Sequence, residues 1–284
     1  MLNNKLGVFI YYLLRNDLSW KLLSRKDREL VLRENIKFNV TRNDYKVPEK
    51  YGDGRCAGGE NWDSFQLYED DLRGQKLLGV LERYGPRNIL EIGPGPGFYS
   101  RMICKYRSVE SYTAVDVGGA FLDYLRPRLE TLNRQKGLRY TLIKREVTKL
   151  ELKDRFDLIV LLSTVHHIPN RTDLFFKLNS LLSKNGIIYC FDPSHYLFRI
   201  SRLIYKCAFQ GYLSREFLRN KGNLSTHHMC TLSEYKRIVK KIPGLEIEKV
   251  FHVPPKKLRK LEWVLWPRRW FSTEIGIVLS KQSD

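Results

Sequence analysis

The chain has 284 residues, long enough to bury a full core and suited to one large domain with elaborations. Lys and Arg number 50 against 31 Asp and Glu, a formal net charge of +19, which points to an acidic partner, a nucleic acid or a membrane surface and says nothing about fold. Cys56, Cys104, Cys190, Cys207 and Cys230 lie far apart with no C-x-x-C pair, which excludes a zinc spacing and reads as reduced thiols in a cytosolic protein.

In chain order, Leu6, Phe9, Ile10, Leu13 and Leu14 form the stripe of a short amphipathic helix. Its apolar run between Lys5 and Arg15 is far short of the roughly 20 residues that a membrane span needs. No small-residue cleavage site follows, so a signal peptide is not expected. Residues 37–66 read as loop, with Gly52, Gly54, Gly58 and Gly59 among polar residues. Leu67 to Tyr84 has helical spacing and stops at Gly85-Pro86.

Next come Ile89, Leu90 and Ile92, a short buried strand that breaks into Gly93-x-Gly95-x-Gly97 before a helical pattern. Glycines there let the backbone turn sharply and lie close against a ligand. The helix after them turns free N–H groups and its positive end to the same spot. Strand, glycine turn and helix together form the nucleotide-cofactor entry of a doubly wound α/β fold. A dinucleotide fingerprint would need Gly or Ala at position 98, which is Phe98.

Tyr112 to Asp116 reads as a second strand, ending in a carboxylate 19 residues after Gly97. Leu138 to Ile143 is a third strand, followed by Glu146 and Val147, and Phe156 to Leu162 is a fourth. Ser163-Thr-Val-His166-His167-Ile168-Pro169 follows it, and Gly186 to Pro193 is the fifth strand. Residues 194–230 form an insertion rich in aromatics and bases, expected to be helical. Thr231-Leu-Ser-Glu234 is a capping box opening a helix over Leu232 to Lys241. Leu245 to Val253 alternates as a sixth strand, and Glu274 to Ser280 reads as the last. Between them, a segment bracketed by prolines interleaves Lys256, Lys257, Arg259 and Lys260 with Trp263, Trp266 and Trp270.

The run Glu91-x-Gly93-x-Gly95-x-Gly97 resembles motif I of the class I S-adenosylmethionine-dependent methyltransferases. The stretch from Phe156-Asp157-Leu-Ile to His166-His167-Ile168 resembles the small-molecule branch that holds the quinone-biosynthesis methyltransferases. The resemblance covers roughly residues 75–193 and the last strands. It implies a Rossmann-like α/β fold, a doubly wound seven-stranded sheet with its last strand antiparallel. Around that core it leaves an N-terminal helical extension and loop (1–66) and the insertion after strand five (194–230). The Rossmann-like core itself spans 67–193, and 231–284 adds a helix and the last two strands. The implied cofactor is S-adenosyl-L-methionine. Glu91, Gly93, Pro94, Gly95, Gly97, Val117 and Ser163 are its expected contacts, with Asp116 at the ribose and Glu146 and Val147 at the adenine. Glu146 stands where most of the family has Asp.

Methyl transfer from a sulfonium is a direct displacement, so alignment of the acceptor and exclusion of water are the main tasks. An oxygen or carbon nucleophile also calls for a base. His167, with His166 beside it, is the candidate because the end of the fourth strand faces the methyl group in this fold and histidine titrates near neutrality. The bland alternative has one histidine capping the following helix and the other packed in the core. His227 and His228 form a second, lesser pair, and Asp192 reads as structural. No metal site is expected.

The expected acceptor is a small molecule, anionic or lipid-linked. Nucleic-acid methylation and a cofactor-binding protein without turnover are the rivals. No Pro-Pro-aromatic signature follows the fourth strand, and no Pro-Cys occurs anywhere. Residues 194–230 and 254–271 each carry six basic residues against one acid. That gathers charge at the acceptor mouth, either as a solvated basic face or as a surface resting on anionic lipid headgroups. The second option places the protein in the cytoplasm, peripheral on the inner face of the membrane.

Overall fold

The structure, a computed structural model, describes residues 7, 10, 11, 17–43, 72–95, 97–194, 230–253 and 274–282. Seven strands make one sheet: β1 (Asn88–Ile92), β2 (Ser111–Asp116), β3 (Arg139–Lys144), β4 (Phe156–Leu162), β5 (Leu182–Pro193), β6 (Leu245–Val253) and β7 (Glu274–Lys281). Their order is β3-β2-β1-β4-β5-β7-β6. Neighbours among β1 to β5 pair in parallel, while β7 runs antiparallel to both β5 and β6. This is the doubly wound α/β sheet expected from the sequence, with the last strand reversed.

The described helices are α1 (Asp17–Lys21), α2 (Arg25–Asn43), α3 (Leu72–Tyr84), α4 (Phe98–Lys105), α5 (Gly119–Lys136), α6 (Arg171–Leu181) and α7 (Leu232–Val239). Successive strand residues point to opposite faces, so β1 and β4 each feed two cores. Ile89, Leu158 and Tyr189 pack with Leu77, Ile103 and Leu125 from α3, α4 and α5. Leu90, Ile159 and Ile188 pack with Phe175, Leu178 and Tyr235 from α6 and α7. Coverage on both faces explains why β4 reads as an unbroken apolar run from Leu158 to Leu162. The edge strands β3 and β6 are exposed at alternate or charged positions instead.

Among the described residues, two boundaries differ from expectation by more than two residues. β5 begins at Leu182, four residues before Gly186, with a register shift against β4 between Phe156 and Leu158. α2 continues through Asn43, where loop is expected from residue 37. No Gly or Pro interrupts that chain until Pro48, so the i to i−4 ladder has no reason to stop. Ser24 starts α2, its Oγ accepting the Asp27 N–H at 3.1 Å and donating to the Asp27 carboxylate at 2.7 Å.

Tyr11 is buried with its ring 5.6 Å from Trp20, so this turn of the N-terminal helix faces protein. Of the N-terminal stripe only Ile10 is described, as half-buried. The insertion apart from Ser194 and Cys230, the basic Trp-rich connection, and His227 and His228 all lie outside the described residues.

Candidate active site

β1 delivers the chain into the glycine turn, where the Gly93 N–H donates to the Val115 carbonyl at 2.8 Å and ties the turn to β2. Gly93, Gly95 and Gly97 have φ of 69°, 54° and 81°, a left-handed backbone that only glycine adopts without strain. A Cβ on Gly93 would come within 2.7 Å of Thr164 Oγ1, so this residue is packed against the exit of β4. A Cβ on Gly95 meets nothing within 4 Å. The turn therefore presents bare backbone to open space at Gly95, the arrangement that lets a cofactor approach closely. Pro94 accepts the Gly97 N–H at 3.1 Å, and Gly97 in turn caps α4. Glu91 lies beneath this turn, not on its open face: its Oε2 accepts from Ser100 Oγ at 2.7 Å and from the Tyr112 hydroxyl at 2.5 Å. Burial pushes its carboxyl up to about 7, against the pull of those two hydrogen bonds.

Asp116 closes β2. Its Oδ1 accepts the Gly118 N–H at 2.9 Å, and the amides of Val117 and Gly95 also bond the carboxylate. Burial nevertheless pushes its pKa up to about 6. One short span thus holds the glycine turn and the expected ribose acceptor together, joined by the Gly95 amide. The Asp116 carbonyl receives the Arg145 N–H at 2.9 Å, which sets Glu146 and Val147 beside it at the exit of β3. Glu146 is tied back locally, to Thr148 Oγ1 at 2.8 Å and Lys149 Nζ at 2.9 Å. Val147 is buried in the α6–α7 core.

At the exit of β4, Ser163 has φ 52°, the non-glycine residue found in the left-handed region among the described residues. Such strain persists only where surrounding bonds impose it, and it gathers at functional sites. Here the Ser163 N–H donates to the Phe191 carbonyl at 2.8 Å, and its Oγ accepts from Arg73 at 2.7 Å. A single turn, Val165–His167, then carries both histidines. His166 is 4% exposed, and Asp192 Oδ1 takes both its backbone N–H at 3.1 Å and its ring Nδ1 at 2.7 Å. With the Nδ1–H of His166 donating to Asp192, the lone pair of its ring is at Nε2. The His167 ring stands 4.0 Å from that of His166 and is only half-buried. Neither histidine caps α6, whose N-cap is Asn170.

Asp192 as the partner of His166, and Arg73 as the partner of Ser163, are features that sequence reasoning passed over. The only trace of Asp192 is a carboxylate ending an apolar strand. Arg73 leaves none, since it stands 90 positions from the serine it meets. Among the described residues no three His, Cys, Asp or Glu side chains gather to hold a metal, and no helix is long and apolar enough to cross a membrane.

Residues 90–188 match the family model described as a methyltransferase domain. Solved structures share the fold at low identity. The magnesium protoporphyrin IX methyltransferase ChlM of Synechocystis PCC 6803, with S-adenosylhomocysteine bound, superposes with a TM-score of 0.57 at 11% identity, covering 87% of this chain and 100% of that one. A sarcosine dimethylglycine methyltransferase assigned in Galdieria sulphuraria gives 0.56 at 20% identity over 84% and 98%. A methyltransferase assigned in Bacillus halodurans C-125 gives 0.51 at 16% identity over 74% and 98%. No protein of curated function matches the sequence. Residues 90–188 are thus a methyltransferase domain, set in the fold in which ChlM holds S-adenosylhomocysteine, the spent form of S-adenosylmethionine.

Proposed function

We propose that the protein transfers a methyl group by direct displacement to a small, lipophilic or lipid-linked acceptor, working at an anionic membrane face. The observation that carries the chemistry is the convergence on one sheet edge of the glycine turn with Asp116 and the exit of β4 with His166, His167 and Asp192. Ligands of open α/β sheets lie outside the carboxyl ends of the parallel strands, where all of these residues stand. When bound, the cofactor supplies an activated methyl on a sulfonium. The chain supplies the rest: Asp116 accepts the ribose hydroxyls, Gly95 allows close approach, and Glu146 lies toward the adenine. A histidine of the β4 turn takes the acceptor's proton, with Asp192 holding His166 in one tautomer. The magnesium protoporphyrin IX and sarcosine dimethylglycine methyltransferases, by their names, act on small molecules, which supports a small acceptor here. The charge of +19 supports an acidic surface nearby.

Radiolabelled cofactor incubated with the protein and a cell extract, then partitioned among lipid, protein, RNA and soluble fractions, tests the acceptor class. Label in the lipid fraction is expected, whereas label in RNA would turn the assignment to nucleic acid. His167→Ala and His166→Ala should separately show which ring is the base, as a loss of about two to four orders of magnitude in turnover with S-adenosylhomocysteine affinity held. Losses below about threefold in both would return the pair to a packing role.

A further inference from the structure

The Arg73 guanidinium joins four elements at the acceptor end of the site. From α3 it reaches Ser163 Oγ at the exit of β4 with one nitrogen and the Glu274 carboxylate at the start of β7 with the other. It lies 5.7 Å from the centroid of the Phe191 ring of β5. Tyr189, also in β5, donates its hydroxyl to the Arg73 carbonyl at 3.4 Å and fixes the helix turn beneath. Pro193 of β5 pairs with Glu274 of β7 in the sheet register, so both stand at the carboxyl edge of the parallel strands.

Sheet order separates this cluster from the cofactor's binding groups. Asp116 is on β2 and the glycine turn follows β1, whereas Arg73 bridges β4 and β7, on the far side of β4. By sheet order Ser163, at the exit of β4, stands between the glycine turn and β7, and Arg73 meets it from α3. The ion pair is also incomplete. Arg73 offers Glu274 only one nitrogen, the other being on Ser163, whereas Arg87 meets Glu110 with both Nε and one terminal nitrogen. A one-point contact is the kind that a ligand acid, able to take parallel N–H groups, can displace.

We propose that Arg73 is the anion receptor for the acceptor, with Glu274 as a resident counter-ion that the acceptor's carboxylate or phosphate displaces. This rests on the cofactor assignment above and adds to it the acidic character of the acceptor. The strained Ser163 then does two jobs, receiving the guanidinium on its side chain and ending β4 at the methyl group.

The test titrates inorganic phosphate, at low salt, into protein loaded with S-adenosylhomocysteine, by calorimetry. The parent should bind phosphate, Arg73→Gln should lose that binding, and Glu274→Gln should tighten it by about threefold or more. Arg87→Gln, which alters a surface pair at the opposite sheet edge, should leave it as in the parent. The gain expected for Glu274→Gln cannot come from misfolding, so the idea stays testable even where Arg73→Gln folds poorly. Phosphate binding that survives Arg73→Gln overturns the proposal, as does a Glu274→Gln variant with no gain. A loss of S-adenosylhomocysteine affinity beyond about threefold in a folded Arg73→Gln variant also overturns it, by assigning Arg73 to the cofactor. A parent that binds no S-adenosylhomocysteine removes the cofactor assignment and this proposal together. Binding of that ligand without phosphate removes the proposal alone.

Discussion

The ribose role proposed for Asp116 calls for an ionised carboxylate, and burial pushes that carboxyl up to about 6. Protonation leaves it one acceptor oxygen fewer, so cofactor affinity should be flat above pH 7 and weaken about tenfold per pH unit below 6. Asp116→Asn should flatten that profile and lose roughly tenfold to a hundredfold at pH 8, by calorimetry. An unchanged profile would move the ribose elsewhere. Glu91 answers to pH in stability. Its folded pKa, about 7 against 4.5 for the ordinary carboxyl, means the native state holds the proton more tightly than the unfolded chain. Its contribution is therefore fully present below pH 4.5 and lost as pH rises through 7, a swing on the order of 3 kcal/mol. Glu91→Gln keeps an acceptor for Ser100 and Tyr112 and carries no charge. Denaturant melts of the variant, relative to the parent, should therefore favour it progressively from pH 5 to pH 8. Equal melting curves across that range would show that Glu91 does not titrate there.

Among the elements, α6 and α7 are joined by an ion pair that the chain encodes 63 positions apart, Arg171 with Glu234 at 2.7 Å and side chains 1% and 4% exposed. Glu234 also occupies the third position of the capping box, donating its N–H to Thr231 Oγ1 at 3.3 Å. The box was legible as a local motif, whereas the partner of its carboxylate was not. Removing one member strands a buried charge, so Glu234→Ala should cost about 3–5 kcal/mol in chemical denaturation. Arg171→Met/Glu234→Met, which strands nothing, should recover most of that loss. A double variant as unstable as the single would mean that the pair contributes net stability beyond avoiding an orphaned charge.

For the whole molecule, the surplus of base over acid is a matter of surface and partner. Each Lys or Arg near an anionic lipid face contributes about 1 kcal/mol, so binding to anionic vesicles should fall steeply with salt. It should collapse in the Lys256/Lys257/Arg259/Lys260→Gln variant. A protein that ignores such vesicles at low salt, and methylates a water-soluble acceptor equally well without them, would end the membrane half of the proposal.

Much of the fold was present in the sequence because it depends on local pattern. Gly93, Gly95 and Gly97 mark a turn that side chains cannot make, and the apolar runs at Ile89 and Leu158 mark strands covered on both faces. A carboxylate ending β2 and two histidines ending β4 are placed by the same strand boundaries. Periodicity says which face of an element is apolar, but it does not say which element will cover it. So the slot of β7 between β5 and β6, the seat of Glu91 beneath the turn, the Asp192–His166 bond and the meeting of Arg73 with Ser163 and Glu274 were settled only by the tertiary structure. The side-chain contacts among these join residues 21 to 201 positions apart, and such a contact exists only once the sheet has brought its strands side by side.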